Sequence, residues 1–257
     1  MIDLHCHILP GIDDGPRTLE DALAMCRLAA EDGCRAMVAT PHQRRGRWWN
    51  SDREAIKTLA KDLQAGLGSE IRILVGGEIH VDSELLAEVE KLPDGGILPL
   101  AGSRYLLIEL DERGRAGDAI SLVHELAMAE WIPVLAHPEF IPWLAGDLDL
   151  TARLVDLGAR VQVTAMSVTG DFGKGPQADT HALIEAGLAH FVASDCHGMQ
   201  RRPPGLRRAY QTIAGRWGAE RARRLVSDNP RAVVQNKPLA VADSGATGAH
   251  GPEASEA

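Results

Sequence analysis

The sequence predicts a single α/β barrel of seven strands, TIM-like in plan, because seven short apolar segments alternate with amphipathic helical segments over residues 1–238. Such alternation requires parallel strands with right-handed connections. A second observation is that six of the seven strands lead into a histidine or a carboxylate. In a barrel the carboxyl ends of all strands meet on one face. An open, doubly wound sheet is the alternative.

The first strand is predicted at 2–7, and the first helix lies between its cap, Thr18, and its stop, Gly33. The later strands are apolar runs that end in polar residues, predicted at 35–40, 71–75, 105–110, 132–136, 160–165 and 190–194. The helices between them show a 3.6-residue period and are predicted at 51–66, 82–91, 118–130, 149–157 and 178–187. Two amphipathic segments follow, at 205–216 and 218–227. Residues 239–257, which lack large apolar side chains after Leu239, are expected to form a disordered tail.

Composition excludes several classes of function. The net charge of −9 argues against a general nucleic-acid or membrane-surface binder. No apolar run reaches the ~18 residues of a membrane span, and no signal peptide is visible before the first strand. The four cysteines show no paired spacing, which favours a reducing cytoplasm.

His5 and His7 are the first candidate metal ligands. The two-residue period of a strand puts both imidazoles on one face, where they can bind one divalent ion. Two surface histidines on an edge strand are the alternative, but the other strand ends deliver similar groups to the same face. The full set of candidate ligands is His5, His7, Asp14, His42, Glu78, Glu109, His137, Asp195 and His197.

A mixed nitrogen and oxygen set of this size suits two or three divalent ions. We expect manganese, with iron or zinc as alternatives. Such a centre turns water into a nucleophile at neutral pH and stabilises the attacking and leaving oxygens of a phosphoryl transfer.

A basic aromatic loop at 43–49 follows the second strand and should lie over the same face. Its arginines, Arg44, Arg45 and Arg47, can bind phosphate, and its two tryptophans can stack on a phenol ring. A solvated loop whose tryptophans pack on a neighbour or on a second subunit is equally compatible with the sequence. The sequence therefore leaves open whether the protein forms an oligomer.

Seven motifs follow one another along residues 1–236: H-x-H, Asp-Asp-Gly, Thr-Pro-His, Gly-x-Glu, Ile-Glu, Ala-His-Pro-Glu, and Ser-Asp-x-His with Arg-Pro-Pro after it. Together they resemble the PHP (polymerase and histidinol phosphatase) superfamily. The closer resemblance is to the bacterial PHP-type protein-tyrosine phosphatases of capsule and exopolysaccharide operons. It implies a distorted seven-stranded barrel with a trinuclear metal centre.

The resemblance also implies how the ligands are shared among three ions. The three groups are His5, His7, Glu78 and Asp195; Glu78 as a bridge with Glu109 and His137; and Asp14, His42 and His197. Arg202, before the Pro-Pro pair, matches a phosphate-binding arginine of the family.

The chain departs from that pattern at two positions. Close relatives carry a phosphate-binding arginine where this chain has Phe140, and many carry a second histidine where it has Gln43. The missing positive charge would then come from Arg17, Arg44, Arg45 or Arg47.

We therefore expect a metal-dependent protein-tyrosine phosphatase whose catalytic group includes Arg202, His42 and Asp195. A metal-bound hydroxide would attack phosphorus in line, without a phosphoenzyme. By resemblance, the partner would be the tyrosine-rich tail of a polysaccharide-assembly kinase. His80 is a candidate general acid, although a surface histidine is the simpler interpretation.

Three other functions stay open: another PHP phosphoesterase acting on histidinol phosphate or a nucleotide, a metal-dependent amide hydrolase, and a non-enzymatic metal-binding regulator. The spacing of Cys196 and Arg202 also matches the C-x5-R loop of cysteine phosphatases. Pro203 and Pro204 stand where the helix of that loop should run, which disfavours this mechanism. We expect Cys6 and Cys196 to be small core residues.

Overall fold

The computed structural model describes residues 1–239 as an α/β fold. Its nine strands are β1 (Ile2–Cys6), β2 (Ala36–Ala39), β3 (His42–Gln43), β4 (Arg72–Val75), β5 (Glu78–His80), β6 (Tyr105–Glu109), β7 (Ile132–Ala136), β8 (Arg160–Thr164) and β9 (Phe191–Ala193). One sheet has the order β1-β2-β4 and the other β3-β5-β6-β7-β8-β9, and every pairing within them is parallel. The α/β class with parallel strands is therefore confirmed.

The count of seven strands is not confirmed, because a further short strand follows each of the second and third expected strands. Pro41 has no N–H to donate to a ladder, and the second strand breaks there into β2 and β3. The third breaks at Gly76 and Gly77 into β4 and β5. A side chain at Gly77 would lie 2.0 Å from the amide oxygen of Gln43, so the close approach of the two segments requires glycine.

The first and last strands meet through a short contact rather than a regular ladder. Cys6 and Cys196 form an isolated parallel bridge, in which the His7 N–H donates to the Cys196 carbonyl at 2.9 Å. The Ser194 N–H donates to the buried Asp3 carboxylate at 3.0 Å. These contacts bring the segment after β9 against the end of β1, where the first candidate ligands lie.

Ten α-helices lie among the described residues: α1 (Leu19–Glu31), α2 (Arg53–Leu67), α3 (Leu85–Val89), α4 (Ala116–Met128), α5 (Leu148–Asp156), α6 (Ala165–Thr169), α7 (Lys174–Glu185), α8 (Arg207–Trp217), α9 (Ala219–Arg223) and α10 (Asn229–Val234). The Thr18 hydroxyl accepts a bond from the Asp21 N–H at 3.2 Å and begins α1 as expected. Helix α3 is shorter than predicted, because the Asp82 carboxylate accepts from the Glu84 N–H and makes a turn there instead.

Two helices were not predicted. Helix α6 follows β8 without a loop, and its Val168 and Thr169 are β-branched residues that favour a strand when the sequence is considered alone. Helix α10 follows a π-helical turn at Arg224–Asp228, which carries the chain on from α9.

Most of the core lies in three clusters of buried apolar side chains. Cys6 and Cys196 are completely buried in the largest of them, which confirms their expected place in the core. Of the predicted tail, only Leu239 lies within the described residues, where it packs on the cluster that contains Leu4 and Tyr105. Residues 240–257 lie outside them. Among the described helices, none combines the length and the apolar character that a membrane crossing requires.

Asp32 connects the end of α1 to the start of α8 and generates a prediction for stability. Its carboxylate accepts from the N–H groups of Leu206 and Arg207 at 2.7 and 2.8 Å, which caps α8 from another part of the chain. We predict that Asp32→Ala lowers the free energy of unfolding by about 1–2 kcal/mol in urea titrations. The control Asp228→Ala, which removes an exposed ion pair with Arg223, should change it by less than about 0.5 kcal/mol. Equal effects would contradict the capping role.

Candidate metal centre

A cavity of about 490 Å³ opens at the carboxyl ends of the strands. Seven of the nine candidate ligands line it: Asp14, His42, Glu78, Glu109, His137, Asp195 and His197. The other two, His5 and His7, are completely buried beneath its floor. The structure therefore brings all nine residues to one place.

Glu78 lies at the centre of this group. Its Oε1 is 2.8 Å from His137 Nε2 and 3.3 Å from His5 Nε2. Its Oε2 is 2.7 Å from His42 Nδ1 and 3.2 Å from His7 Nε2. The parallel pairing of β3 with β5, in which His42 is the register partner of Glu78, places these two side chains side by side. One carboxylate thus contacts four imidazoles.

The segment after β9 supplies the opposite wall. Asp195 Oδ1 lies 3.3 Å from His5 Nε2 and 3.6 Å from His7 Nε2. Toward the mouth of the cavity, Asp14 Oδ1 is 3.3 Å from both His42 Nε2 and His197 Nε2. Asp14 is 40% exposed, whereas the inner ligands are almost completely buried.

The geometry of these groups suits metal ions better than it suits hydrogen bonds. Four sets of ligand atoms each lie within 4.8 Å of one another: His7, Asp14, His42 and His197; His5, His137 and Asp195; His5, His7 and Glu78; and His42, Glu78 and Glu109. His42 Nδ1, Glu78 Oε2 and His137 Nδ1 are buried and lack a hydrogen-bond partner, although other polar atoms are close. Buried polar atoms without a hydrogen-bond partner are costly, and a bound cation would satisfy them. Imidazole and carboxylate ligands without thiolate suit manganese, iron or zinc.

The clusters agree with the implied sharing of ligands in part. Asp14, His42 and His197 fall together, as do His5, His7 and Glu78. Glu109, however, groups with His42 and Glu78 rather than with His137. His137 instead groups with His5 and Asp195, so it lies between two of the implied sets.

Burial and charge shift the pKa values of these groups in opposite directions. Burial alone lowers the pKa of His5, but the carboxylates of Asp195 and Glu78 raise it to about 10. Burial likewise lowers the pKa of His42, and its contacts with Asp14 and Glu78 raise it to about 10. For Asp195, burial raises the pKa, but His5 and Arg202 lower it to about 2. Asp195 is therefore ionised at neutral pH, and its surroundings require positive charge.

Two residues that were not predicted hold the buried histidines in place. Asp13 Oδ2 lies 2.8 Å from His7 Nδ1 and also accepts from the His42 N–H at 3.2 Å. Gln162 Oε1 lies 2.8 Å from His5 Nδ1. Each contact leaves the Nε2 atom directed at the centre, as partners of metal-binding histidines do. Sequence position gave a signal for both residues, since Asp13 adjoins Asp14 and Gln162 lies on a strand.

The backbone also directs two ligands. His137 and Asp195 have φ values of 33° and 52°, in the left-handed region that residues other than glycine rarely adopt. Each residue follows the end of a strand, β7 or β9. Such strain often accompanies functional sites, and nothing in the sequence predicts it.

The five arginines predicted to bind phosphate occupy different positions. Arg202 lines the cavity, contacts the Asp195 carboxylate through Nη2 and lies 3.4 Å from His197 Nε2. Arg45 also lines it, with Nη1 2.6 Å from Glu109 Oε1. Arg44 instead donates two bonds to Asp82 and is almost completely buried, so its charge has another partner. Arg47 lies over the ring of Trp48, and Arg17 is exposed in a neighbouring depression.

The basic aromatic loop lies against this face of the sheet, as expected. Arg45 and Trp48 exchange backbone hydrogen bonds of 3.1 and 2.8 Å around a tight turn. The indole ring of Trp48 stacks on the imidazole of His42, with centroids 5.1 Å apart. The loop therefore packs on a candidate ligand and holds Arg45 beside the cavity.

Both departures from the family pattern have a structural consequence. Gln43 is completely buried, donates to the carbonyls of Asn50 and Gly96, and accepts from the Leu98 N–H, so it connects the loop at Asn50 with the loop at residues 96–98. Phe140 lines the cavity and meets Phe172 edge to face, with centroids 5.4 Å apart.

Arg113 and Phe172 line the same cavity and were not predicted. Arg113 follows the end of β6, so its position after a strand was the available signal. Phe172 lies in the connection between α6 and α7, and because α6 itself was missed, no signal placed it here.

His80 also lines the cavity, with Nδ1 3.2 Å from Glu109 Oε2. Its side chain is 23% exposed, which is compatible with a surface position at the rim.

The sequence is similar to a known protein family and to named members of it. The family model described as "Capsular polysaccharide synthesis, CpsB/CapC" matches residues 1–235. The tyrosine-protein phosphatase YwqE of Bacillus subtilis (strain 168) is 34% identical over 242 residues, which are 93% of each chain. The tyrosine-protein phosphatase CpsB of Streptococcus pneumoniae is 29% identical over 244 residues, 92% of this chain and 99% of its own.

Solved structures give the same result for the fold. A structure from the work on YwqE of Bacillus subtilis and CpsB of Streptococcus pneumoniae, described as unique metal-dependent tyrosine phosphatases, superposes with a TM-score of 0.87 at 33% identity. The match covers 93% of this chain and 96% of that one. A phosphotriesterase from Mycobacterium tuberculosis superposes with a TM-score of 0.54 at 12% identity, covering 85% of each chain, which shows likeness of fold alone.

The pKa values of the histidines predict how metal binding depends on pH. A metal binds neutral imidazole, whereas His5 and His42, each with a pKa of about 10, are protonated near pH 7 in the metal-free protein. The neutral fraction grows as pH rises, so manganese affinity should increase from pH 6 to pH 9, and protons should be released on binding. Titration calorimetry in buffers of different ionisation enthalpy measures that release. Binding without proton release at pH 7 would contradict this protonation state.

Proposed function

Because the chain belongs to the CpsB/CapC family of capsular polysaccharide synthesis proteins, we propose that it is a metal-dependent phosphatase that hydrolyses phosphotyrosine in proteins. The observation that carries the proposal is the convergence of nine imidazole and carboxylate side chains at one cavity. The named functions of the relatives YwqE and CpsB, and the metal dependence stated for them, support it.

The nine candidate ligands would hold two or three divalent ions, and manganese is our expectation. Bound there, such ions would lower the pKa of water and neutralise phosphate oxygens. The chain's own contribution is to fix the ligands: Asp13 and Gln162 orient His7 and His5, and Glu78 contacts both. We propose direct in-line attack by water, without a phosphoenzyme.

The cysteine nucleophile of a C-x5-R phosphatase does not fit this chain. Cys196 has no exposed surface, because it packs in the core and bridges to Cys6. Burial raises the pKa of the Cys6 thiol, which keeps that neighbouring thiol protonated. An attacking thiolate has to be ionised and accessible.

We propose that three arginines bind the phosphate group. Arg202 and Arg45 lie at the rim of the ligand cluster, paired with Asp195 and Glu109, and Arg113 lines the same cavity. A guanidinium can donate two parallel bonds to phosphate oxygens. We propose that Arg45 and Arg113 supply the charge that the family arginine at the position of Phe140 would otherwise provide.

We propose that the aromatic wall formed by Phe140 and Phe172 binds the ring of the substrate. The two rings meet at 87°, and Phe140 lies 5.8 Å from the ring of the candidate ligand His137. A phenol leaving group has a pKa of about 10, so it departs with less help from a general acid than an alkyl alcohol. His80, at the rim, is the candidate for that help.

The wider setting follows from the family. We propose that the partner is a tyrosine-rich segment of a polysaccharide-assembly kinase in the cytoplasm. We also propose that the two sheets act as one distorted barrel, since the contact between Cys6 and Cys196 brings the first and last strands together.

Substitutions of His42 and of Cys196 distinguish metal-dependent hydrolysis from attack by a cysteine nucleophile. With manganese-loaded protein and a phosphotyrosine peptide, His42→Ala should lower kcat/KM by at least ~100-fold, because loss of even a partner of a metal ligand costs ~10- to 100-fold. Cys196→Ser should retain most of the activity, and a chelator should remove it. A Cys196→Ser protein that keeps its metal but is inactive would contradict the proposal. So would turnover of histidinol phosphate or a nucleotide that equals the turnover of the peptide.

Phe140→Ala tests the aromatic wall. We predict that it lowers kcat/KM for a phosphotyrosine peptide by ~2- to 10-fold, the effect of losing an aromatic contact of about 0.5–1.5 kcal/mol. The rate on the matched phosphoserine peptide should stay within ~2-fold. The control is Trp217→Ala, at the end of α8 beside His181, which should change neither rate. An equal loss on both peptides would contradict a role for Phe140 in holding the ring.

A further inference from the structure

A second depression, of about 600 Å³, adjoins the catalytic cavity. The two share a wall made of Asp14, His197 and Arg202. A peptide whose phosphotyrosine enters the catalytic cavity therefore has its neighbouring residues within reach of this depression.

Two arginines give this depression positive charge. Arg17 and Arg201 are exposed there, and neither forms an ion pair with any residue in the part of the chain that the structure describes. Of the two acidic residues, Asp14 contacts His42 and His197, and Asp21 accepts a bond from the Thr18 hydroxyl; neither forms an ion pair with Arg17 or Arg201 among the described residues. Two unpaired guanidinium groups thus lie in one depression of a protein with net charge −9.

The two arginines are carried by closed loops. The Gly11 N–H donates to the Pro16 carbonyl at 2.8 Å, just before Arg17. The His197 N–H donates to the Arg202 carbonyl at 2.9 Å, which closes the turn that bears Arg201. Loops held in this way lose little backbone entropy when the arginines bind a ligand.

We propose that this depression binds an acidic segment next to the phosphotyrosine of the protein substrate, with Arg17 and Arg201 as its anion-binding groups. The inference rests on the proposed function, because the segment is positioned by the phosphotyrosine in the adjoining cavity. The anion is a carboxylate of Asp or Glu, or a second phosphotyrosine, since a guanidinium binds either in the same fork geometry.

The test compares three phosphotyrosine peptides of one length, with neutral, Asp/Glu-containing or second-phosphotyrosine flanks. Wild-type protein loaded with manganese should show kcat/KM ~3- to 10-fold higher on the anionic peptides, the range that two exposed ion pairs supply. The Arg17→Gln/Arg201→Gln double variant should lose that preference. Arg223→Gln, which removes an exposed arginine of α9, is the matched control and should keep it.

Each outcome decides the proposal. A preference that falls at high salt in wild type and is absent from the double variant supports it, and the better of the two anionic peptides identifies the anion. Equal rates on all three peptides, or a preference that survives in the double variant, overturn it. Absence of hydrolysis of any peptide by metal-loaded wild type is a different result, because it contradicts the proposed function itself.

Discussion

Glu78 carries a negative charge and is almost completely buried, and four imidazoles surround it within 3.3 Å. A buried charge is tolerated only when it is paired and its lone pairs are used. In the metal-free protein, protonated histidines provide that compensation, and divalent ions would provide it in the loaded protein. Glu78 lies on β5, and the four imidazoles lie on or directly after β1, β3 and β7. Contacts with one carboxylate therefore link four strands.

The breaks between β2 and β3 and between β4 and β5 also help to place His42 beside Glu78. At Pro41 and at Gly76 and Gly77 the ladder stops and then resumes, so His42 and Glu78 emerge as register partners. The buried Gln43 connects this region to the loops around Asn50 and Leu98. In this chain the position therefore stabilises the scaffold rather than adding an imidazole to the cavity.

Much of the site could be predicted from the sequence, because the carboxyl ends of parallel strands meet at one face and a histidine or carboxylate follows most of them. Predictions that depended on side-chain direction were less successful. Arg44 lies in the sequence between His42 and Arg45, which both line the cavity, yet its own side chain binds Asp82. The broken strands, the left-handed backbone at His137 and the missing prediction of α6 all depend on tertiary contacts that local pattern does not encode.

The contact between the two ends of the fold has a consequence for synthesis of the protein. Asp3 and Ser194 are hydrogen-bonded although they lie 191 residues apart, and the ligands Asp195 and His197 follow directly. Contacts of such long range form late, after the intervening chain has been made and collapsed. A nascent chain on the ribosome exposes His5 and His7 long before Asp195 exists. The set of nine candidate ligands is therefore complete only after translation has passed the ninth strand, and a shorter nascent chain lacks Asp195 and His197.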